Sequence, residues 1–200
     1  MENKPHLVIA AFDFDGTITT KDTLFQFMIF ALGWSKMMVG LVIFIPTFIN
    51  YMFGNISNNQ AKETLFSILF RGMPIDHFKD LGEKYQFEIN QLLNKEAIEK
   101  INWHKGQHHA LVIISASIVN WIEPWALQHG FEQVIATVPE VVNGKLTGKF
   151  SSKNCHGAEK VNRLLEQYPV RKSYELYAYG DSNGDKELLE EADYAFFKMF

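Results

Sequence analysis

Two carboxylates separated by a single residue, Asp13 and Asp15, are the residues of this sequence best suited to chemistry. They lie in the string DFDGT, which directly follows the uncharged run Leu7–Phe12. Carboxylates this close repel each other unless a cation or a shared proton lies between them, and a divalent metal is the simplest resolution. A specified five-residue string arises by chance at about one position in a million, so DFDGT indicates more than an ordinary Asp-Gly turn.

The run before the aspartates predicts a strand that is covered on both faces, because strands of buried parallel sheets are apolar throughout. Gly16 would then turn the chain at the end of that strand. Ligands of open α/β sheets bind at the carboxyl ends of the strands, so we expect Asp13 and Asp15 to face a crevice there.

Composition limits the function classes. The 200 residues suffice for one domain, or for a core with an inserted subdomain. The 19 basic and 23 acidic residues give a net charge of −4, without the basic excess of a nucleic-acid-binding protein. The single cysteine, Cys155, can form no internal disulfide, which indicates a reducing compartment. The N-terminal segment lacks the pattern of a secretory signal, so we expect a cytoplasmic protein.

Residues 24–53 are strongly apolar, and residues 37–53 contain no charge, which reaches the lower limit for a membrane span. Pro46 opposes a span, and a single span would separate Asp13 from everything after residue 60. Two alternatives stay open: the buried core of a helical subdomain, or a surface that dips into the bilayer interface.

Residues 56–101 have helical character, with a break at 72–74 and an amphipathic run from 76 to 101. We therefore predict a mostly helical insertion at residues 20–93. The core would consist of residues 1–19 and 94–200.

A strand pattern then resumes in alternation with helices. Strands are predicted at 110–114, 131–135, 176–179 and 194–197, and helices at 118–129, at 157–167 and in a short segment ending at Ala192. Asn143 and Gly144, between VPEVV and KLTGKF, predict a hairpin. The alternation predicts an α/β fold with a doubly wound, Rossmann-like parallel sheet. Right-handed crossovers would bring the polar residues that follow the strands to one edge: Asp13, Asp15, Ser115, Asp181 and Asp185.

Four motifs resemble, in their order, those of the haloacid dehalogenase-like (HAD) superfamily of aspartate-dependent phosphatases. They are DFDGT, the strand ending in Ser115, Lys160, and GDSNGD around Asp181 and Asp185. The resemblance covers the whole chain. The insertion after the first motif resembles the C1-type cap of that superfamily, and the hairpin resembles that of its phosphoserine phosphatase-like subfamily IB. The resemblance implies a phosphomonoester hydrolase that uses Mg²⁺.

The resemblance also implies roles for the acidic residues. Asp13 would attack phosphorus and form an aspartyl phosphate, while Asp15 would be the general acid and then the base. Mg²⁺ would bind to Asp13, the backbone carbonyl of Asp15, and Asp181, with Asp185 holding a ligand water or orienting the other ligands.

Phosphate contacts follow from the same resemblance. Ser115 would donate its hydroxyl to a phosphoryl oxygen, and Lys160 would neutralise the charge shared by nucleophile and phosphate. Thr17 would add a hydrogen bond, and amides of the turn at Gly16 would complete the phosphate site.

The sequence departs from phosphoserine phosphatases at two places. Asn183 stands two residues before Asp185, whereas those enzymes usually place the asparagine directly before the second aspartate. In the cap, Asp22 would replace the glutamate that reads the substrate ammonium, and Phe66 lies where the carboxylate-binding arginine is expected. A substrate carboxylate would lose its bidentate partner there. Asp22 and Phe66 are the cap residues that we expect to contact the substrate.

The leading hypothesis is a Mg²⁺-dependent phosphatase for a small or amphipathic phosphate ester. A narrower one is a lipid phosphate phosphatase with peripheral membrane contact through the cap, because the apolar cap and the string CHGAEK before and at Lys160 are similar to phosphatidylglycerophosphate phosphatases. A third, from another class, is a non-enzymatic phospho-aspartate switch such as a receiver domain, although receivers are shorter and have no cap. Nothing in the sequence indicates an oligomeric state.

Overall fold

A five-stranded parallel sheet forms the centre of the molecule. The computed structural model describes residues 7–200, so the first six residues, which belong to the segment examined for a secretory signal, lie outside the described residues. The strands within that range are β1 (Leu7–Phe12), β2 (Ala110–Ile118), β3 (Gln133–Thr137), β4 (Pro139–Val142), β5 (Lys145–Phe150), β6 (Tyr174–Gly180) and β7 (Tyr194–Phe197). The parallel sheet has the order β3-β2-β1-β6-β7, and β4 and β5 form a separate antiparallel hairpin. The predicted α/β fold is confirmed.

Helices precede and follow the strands as the alternating pattern predicts. They are α1 (Thr23–Met52), α2 (Asn58–Phe70), α3 (Ile75–Leu92), α4 (Lys95–Gly106), α5 (Val119–Gln128), α6 (Ala158–Gln167) and α7 (Lys186–Glu191), with short 3₁₀ turns at Arg171–Ser173 and Asn183–Asp185. The first four lie between β1 and β2 in the chain. Of the others, α5 connects β2 to β3, α6 connects β5 of the hairpin to β6, and α7 connects β6 to β7.

β1 is the central strand, and it pairs in parallel with β2 on one side and with β6 on the other. Its alternate residues enter two different cores, Ala10 and Phe12 on one face and Ile9 and Ala11 on the other. Phe12 stacks on Tyr179 of β6 with ring centroids 4.4 Å apart. Burial on both faces explains why this strand is apolar at every position.

Two element boundaries differ from the prediction by more than two residues. β2 does not end before Ser115 but continues to Ile118, with a shift in its register against β3 between these two residues. The amphipathic run from 76 to 101 is not one helix, because Leu93 is extended and the Asn94 side chain accepts a hydrogen bond from the Glu96 amide at 3.1 Å, which starts α4. The cap at Asn94 starts a new helix although the helical periodicity of the sequence continues through this position.

The chain leaves and re-enters the core at two neighbouring segments. The Thr20 amide donates to the Leu92 carbonyl at 2.8 Å, and the Asn94 amide donates to the Ile18 carbonyl at 2.8 Å. Thr19 and Leu93 form an isolated antiparallel bridge between these segments. The helices α1, α2 and α3 are therefore attached to the sheet through two adjacent connections.

The two halves of α1 lie in different surroundings. Gly33 interrupts the helical backbone with φ of +73°. Before it, Phe27 is buried and stacks on Trp121 of α5 with ring centroids 4.5 Å apart, which joins the helical insertion to the core. After it, only Met37 and Gly40 are buried. Among the described residues, α1 is the one helix long and apolar enough to cross a membrane by length and composition.

Candidate active site

Three carboxylates meet at the carboxyl end of β1. Oxygen atoms of Asp13, Asp181 and Asp185 all lie within 4.8 Å of one another. The parallel pairing of β1 with β6 brings them together, and the Asp13 amide donates to the Tyr179 carbonyl at 2.9 Å. Burial raises the pKa of Asp13 to about 7, with Lys160 opposing and Asp185 adding to the rise. Burial and Asp185 likewise raise the pKa of Asp181, which shows that mutual repulsion among the three carboxylates is not fully balanced, and their oxygen donors fit a Mg²⁺ ion.

Lys160 supplies the fixed positive charge of this cluster. Its Nζ donates to Asp13 Oδ1 at 2.7 Å and also to Asp185 Oδ1, and the residue is only 2% exposed. Burial opposes the charged form, but the attraction of both carboxylates raises the pKa of Lys160 above its ordinary value. Lys160 lies in the first turn of α6, where the Gly157 amide donates to the Gly184 carbonyl at 2.9 Å. That bond fixes the start of α6 against the loop after β6.

Asp185 orders the loop that carries Asp181. Its Oδ2 accepts hydrogen bonds from the Asp181 amide at 3.3 Å, the Ser182 amide at 3.0 Å and the Ser182 hydroxyl at 2.8 Å. Burial alone would raise the pKa of Asp185, but Lys160 and these donors lower it below the ordinary value. The hydrogen bonds between Ser182 and Asp185 therefore order the loop, and an asparagine directly before Asp185 is not needed for this.

Asp15 is held by three donors that sequence reasoning did not name. The Thr23 amide and the Thr23 hydroxyl both donate to Asp15 Oδ1 at 2.6 Å, and the Ser117 hydroxyl donates to Asp15 Oδ2. Burial raises the pKa of Asp15, and Asp22 adds to the rise, while these donors oppose it. The spacing of Ser115 and Ser117 was the available signal, because residues two apart in a strand share a face.

The predicted phosphate contacts surround the same point. Ser115 is buried, lines the cavity described below, and accepts a hydrogen bond from the Ser117 amide at 3.1 Å. Thr17 Oγ1 lies 3.5 Å from Asp181 Oδ1, so it contacts the acidic cluster. Gly16 has φ of +80°, and a Cβ at this position would overlap the Asp181 carboxylate. Gly16 is therefore required both by its backbone conformation and by the close approach of Asp181.

A cavity of about 550 Å³ opens over these residues. Its floor contains the predicted polar residues Asp13, Asp15, Gly16, Ser115, Lys160 and Asp181. Its wall on the side of the helical insertion contains the apolar or aromatic residues Leu24, Phe44, Phe48, Tyr51 and Leu65. The cavity thus has one charged end and one apolar end.

Lys62 of α2 also lines the cavity, although no role was predicted for it. Its Nζ donates to the Ala116 carbonyl and, at 3.1 Å, to Asn154 Oδ1, so it joins the helical insertion to two segments of the core. Burial lowers the pKa of Lys62 to about 8, although Asp15 and Asp22 oppose the shift.

Of the two cap residues expected to contact the substrate, only Asp22 lies at the cavity. Asp22 lines the cavity and caps α1, accepting a hydrogen bond from the Phe25 amide at 3.2 Å. Phe66 does not line the cavity, so its expected substrate contact is wrong: it is 2% exposed and packs on Phe70 and Phe150, each with ring centroids 5.2 Å away. An aromatic ring is stabilised more by such burial than by a charged cavity.

Comparisons with known proteins agree with this geometry. A family model described as haloacid dehalogenase-like hydrolase matches residues 10–190. Protein CicA of Caulobacter vibrioides is 29% identical over 206 residues, covering 100% of this chain and 89% of CicA. The probable phosphatase Rv3661 of Mycobacterium tuberculosis is 27% identical over 195 residues, covering 93% of this chain and 67% of Rv3661.

A solved phosphoserine phosphatase, described as a phospho-aspartyl intermediate analogue, is similar in fold. Its TM-score is 0.62 at 20% identity, over 93% of this chain and 83% of that one. The order of the strands, the acidic cluster at their carboxyl ends and the match over residues 10–190 lead to one conclusion. The chain belongs to the haloacid dehalogenase-like hydrolase family.

Proposed function

We propose that this hydrolase is a Mg²⁺-dependent phosphomonoesterase that acts through an aspartyl phosphate on Asp13. The observation that carries the proposal is the position of Asp13, which is bound to Lys160 at 2.7 Å and lies within the cluster formed with Asp181 and Asp185. A buried carboxylate between a fixed cation and a divalent-metal site is suited to attack on an electron-poor phosphorus atom. The name of the relative Rv3661, a probable phosphatase, supports the same reaction.

In the first step an Asp13 carboxylate oxygen forms a bond to phosphorus while the bond from phosphorus to the ester oxygen breaks. Asp15 donates a proton to the departing alkoxide, and burial favours this role because it raises the pKa of Asp15. In the second step Asp15 takes a proton from a water molecule that attacks the phosphorus. Asp13 then leaves as a carboxylate, and inorganic phosphate is released.

Charge on the nonbridging oxygens is balanced by this chain's own donors. Lys160 remains protonated beside Asp13, and the Ser115 hydroxyl donates to a phosphoryl oxygen. When bound, Mg²⁺ would be held by Asp13, the Asp15 carbonyl and Asp181, with Asp185 orienting them, and would neutralise negative charge on the phosphoryl group.

Substitution of the nucleophile tests the reaction directly. Asp13→Asn should lower the turnover of a generic aryl phosphate at least about 1,000-fold, because an amide cannot form the phosphorylated intermediate. Asp80→Asn is the matched control, since Asp80 lies on α3 in an exposed pair with Lys84, 2.7 Å away. Chelation of divalent metal should abolish turnover of the unsubstituted chain, and Mg²⁺ should restore it.

Three outcomes would contradict the proposal. Undiminished turnover by Asp13→Asn would remove Asp13 from the reaction, and full activity after chelation would remove the metal. An aspartyl phosphate that persists without turnover would instead support the non-enzymatic switch.

The substrate we propose is a small or amphipathic phosphate ester, because the cavity places apolar side chains opposite its charged floor. Residues 20–93, which contribute that apolar wall, would act as the cap. A second candidate is a lipid phosphate, favoured by the position of Phe44 and Phe48 in the wall. Rates on phosphatidylglycerophosphate in vesicles and on phosphoserine separate the candidates, and a preference for phosphoserine would exclude the lipid phosphate.

A further inference from the structure

The second half of α1 and the residue after it form a large exposed apolar surface, which we call the α1 surface. No charged residue occurs from position 37 to position 61. The side chains of the α1 surface are between 48% and 78% exposed: Trp34, Met38, Val39, Val42, Ile43, Ile45, Phe48, Ile49, Met52 and Phe53. Isolated exposed apolar residues are ordinary, but a contiguous set of this size marks an interaction surface.

The shape of the α1 surface favours a fluid partner over a second protein. At about 100° per residue its members cover an arc of roughly 220° around the helix axis. A protein partner packs against a single stripe of a helix, whereas a lipid phase covers a convex arc of this width. The opposite side of the helix is occupied at Gly40, where an added Cβ would overlap the Leu69 side chain of α2.

The position of the active site excludes a simple membrane crossing. Asp13 precedes α1 in the chain, while Lys160 and Asp181 follow it, and these three residues belong to one cluster. Both ends of α1 are therefore on the same side of any bilayer. A helix with this composition that cannot cross would lie in the plane of the bilayer interface.

The α1 surface continues into the cavity. Phe48 is 50% exposed and also lines the cavity, together with Phe44 and Tyr51 of the same helix. An apolar chain bound along these residues would extend from the charged floor towards the medium that covers the α1 surface.

We propose that the α1 surface docks on a lipid bilayer, lying in its interface, so that the cavity receives phosphate esters whose apolar chains remain in that bilayer. The second part of this inference rests on the proposed phosphatase activity, whereas docking itself does not. Binding and hydrolysis are therefore measured separately.

Sedimentation with phosphatidylcholine vesicles, with and without phosphatidylglycerol, tests the docking. The full chain should sediment with vesicles, and the double variant Val42→Asp/Ile49→Asp should bind at least tenfold more weakly, because charges enter the interface. Neither Val42 nor Ile49 lines the cavity, so this double variant should turn over a soluble aryl phosphate at the unchanged rate. The matched control is Leu127→Asp/Val170→Asp, which places the same charges at positions 60% and 62% exposed and should bind vesicles normally.

Several results would overturn the proposal. The full chain could fail to sediment with either vesicle, or both double variants could bind equally well. A dimer that dissociates in Val42→Asp/Ile49→Asp, measured by analytical ultracentrifugation without vesicle binding, would assign the α1 surface to a second copy of the chain. Vesicle binding without any phosphatase activity would retain the docking and reject the proposed function.

Discussion

Asp15 is oriented by hydrogen-bond donors from two elements. Thr23, in the first turn of α1, contributes two donors to one carboxylate oxygen, and Ser117 of β2 contributes one to the other. The proton donor that we propose Asp15 to be would require such fixing, because a small misplacement relative to the leaving group costs much of the rate.

Ser117→Ala should lower kcat about 10- to 100-fold with little change in KM, because Asp15 loses the donor on one oxygen and can rotate. Steady-state kinetics on an aryl phosphate measure the effect. The control is Ser173→Ala, whose hydroxyl donates to the exposed Val170 carbonyl at 2.7 Å, just before β6 and at the end of that strand opposite to Asp181. Equal kcat in the two variants would show that Ser117 does not position Asp15.

Gly16→Ala should abolish most activity and weaken Mg²⁺ binding, because the new Cβ would displace the Asp181 carboxylate. Gly72 offers a matched control: its φ of +84° is nearly the same, but a Cβ there would meet no atom within 4 Å. Each substitution should lower the free energy of unfolding by about 1 kcal/mol, because a residue with a Cβ disfavours positive φ. Isothermal titration with Mg²⁺ and turnover should therefore distinguish them, and equal Mg²⁺ affinity would contradict the role of Gly16.

At the scale of elements, α2 is joined to the core by Lys62. The Ala116 carbonyl lies between Ser115 and Ser117 in β2, so the ammonium group connects the helical insertion to the strand that carries two site hydroxyls. Movement of α2 would therefore change the cavity wall and this contact together.

Lys62→Met should lower kcat/KM about tenfold, mainly through KM, because the ties to Ala116 and Asn154 are lost. The pKa of Lys62 is lowered to about 8, so its positive charge is lost as the pH rises through that value. KM of the unsubstituted chain should therefore rise above pH 8, whereas KM of Lys62→Met should not. The control Lys84→Met removes an exposed lysine of α3 and should change neither profile.

Helices and strands could be predicted from the sequence where their own residues alone determine where they begin and end. The apolar run of β1, the hairpin at Asn143 and Gly144, and α6 all follow from their residues within a position or two. β2 extends beyond its predicted end because pairing with β3 resumes at Ile118, and a long-range contact of this kind leaves no local trace. Phe66 was misplaced for the same reason, since only the packed α2 and β5 show that it is buried.

At the scale of the whole molecule, a histidine pair ties α4 to the sheet. His104 is fully buried, with one ring nitrogen 2.9 Å from the Tyr179 hydroxyl and the other 2.7 Å from a ring nitrogen of His109. Burial lowers the pKa of His104 to about 3, and His109 adds to the shift. The native state therefore excludes a proton that the unfolded chain binds below about pH 6.5.

The free energy of unfolding should fall as the pH decreases from about 6.5 towards 3, because the unfolded state then binds more protons than the native state. His104 alone would contribute a slope of up to about 1.4 kcal/mol per pH unit. His104→Gln should have a lower free energy of unfolding at pH 7. That free energy should also depend less on pH, by roughly the contribution of His104, as measured by denaturant unfolding at several pH values. His77→Gln, at an exposed position of α3, should keep the slope, and an unchanged slope in His104→Gln would contradict the assignment.

The convergence of distant parts of the chain could be predicted, but the surroundings of the site could not. Asp13 and Asp181 meet because parallel strands end at one edge of a sheet, a rule that needs no coordinates. The positions of Thr23, Lys62 and Phe48 depend on how α1 and α2 fold back over that edge, and no sequence period encodes that angle.

Thr19 and Leu93, at which the helical segment leaves and re-enters the core, lie side by side, and this arrangement affects how the protein can evolve. Because the two ends of the helical segment are adjacent, the segment can be exchanged, lengthened or shortened without a change in the positions of the strands of the sheet. Asp13, Lys160 and Asp181 all lie outside the exchanged region. If Thr23, which holds Asp15, is kept, the proposed phosphatase can thus acquire new preferences among phosphate esters by changes in the rest of this segment.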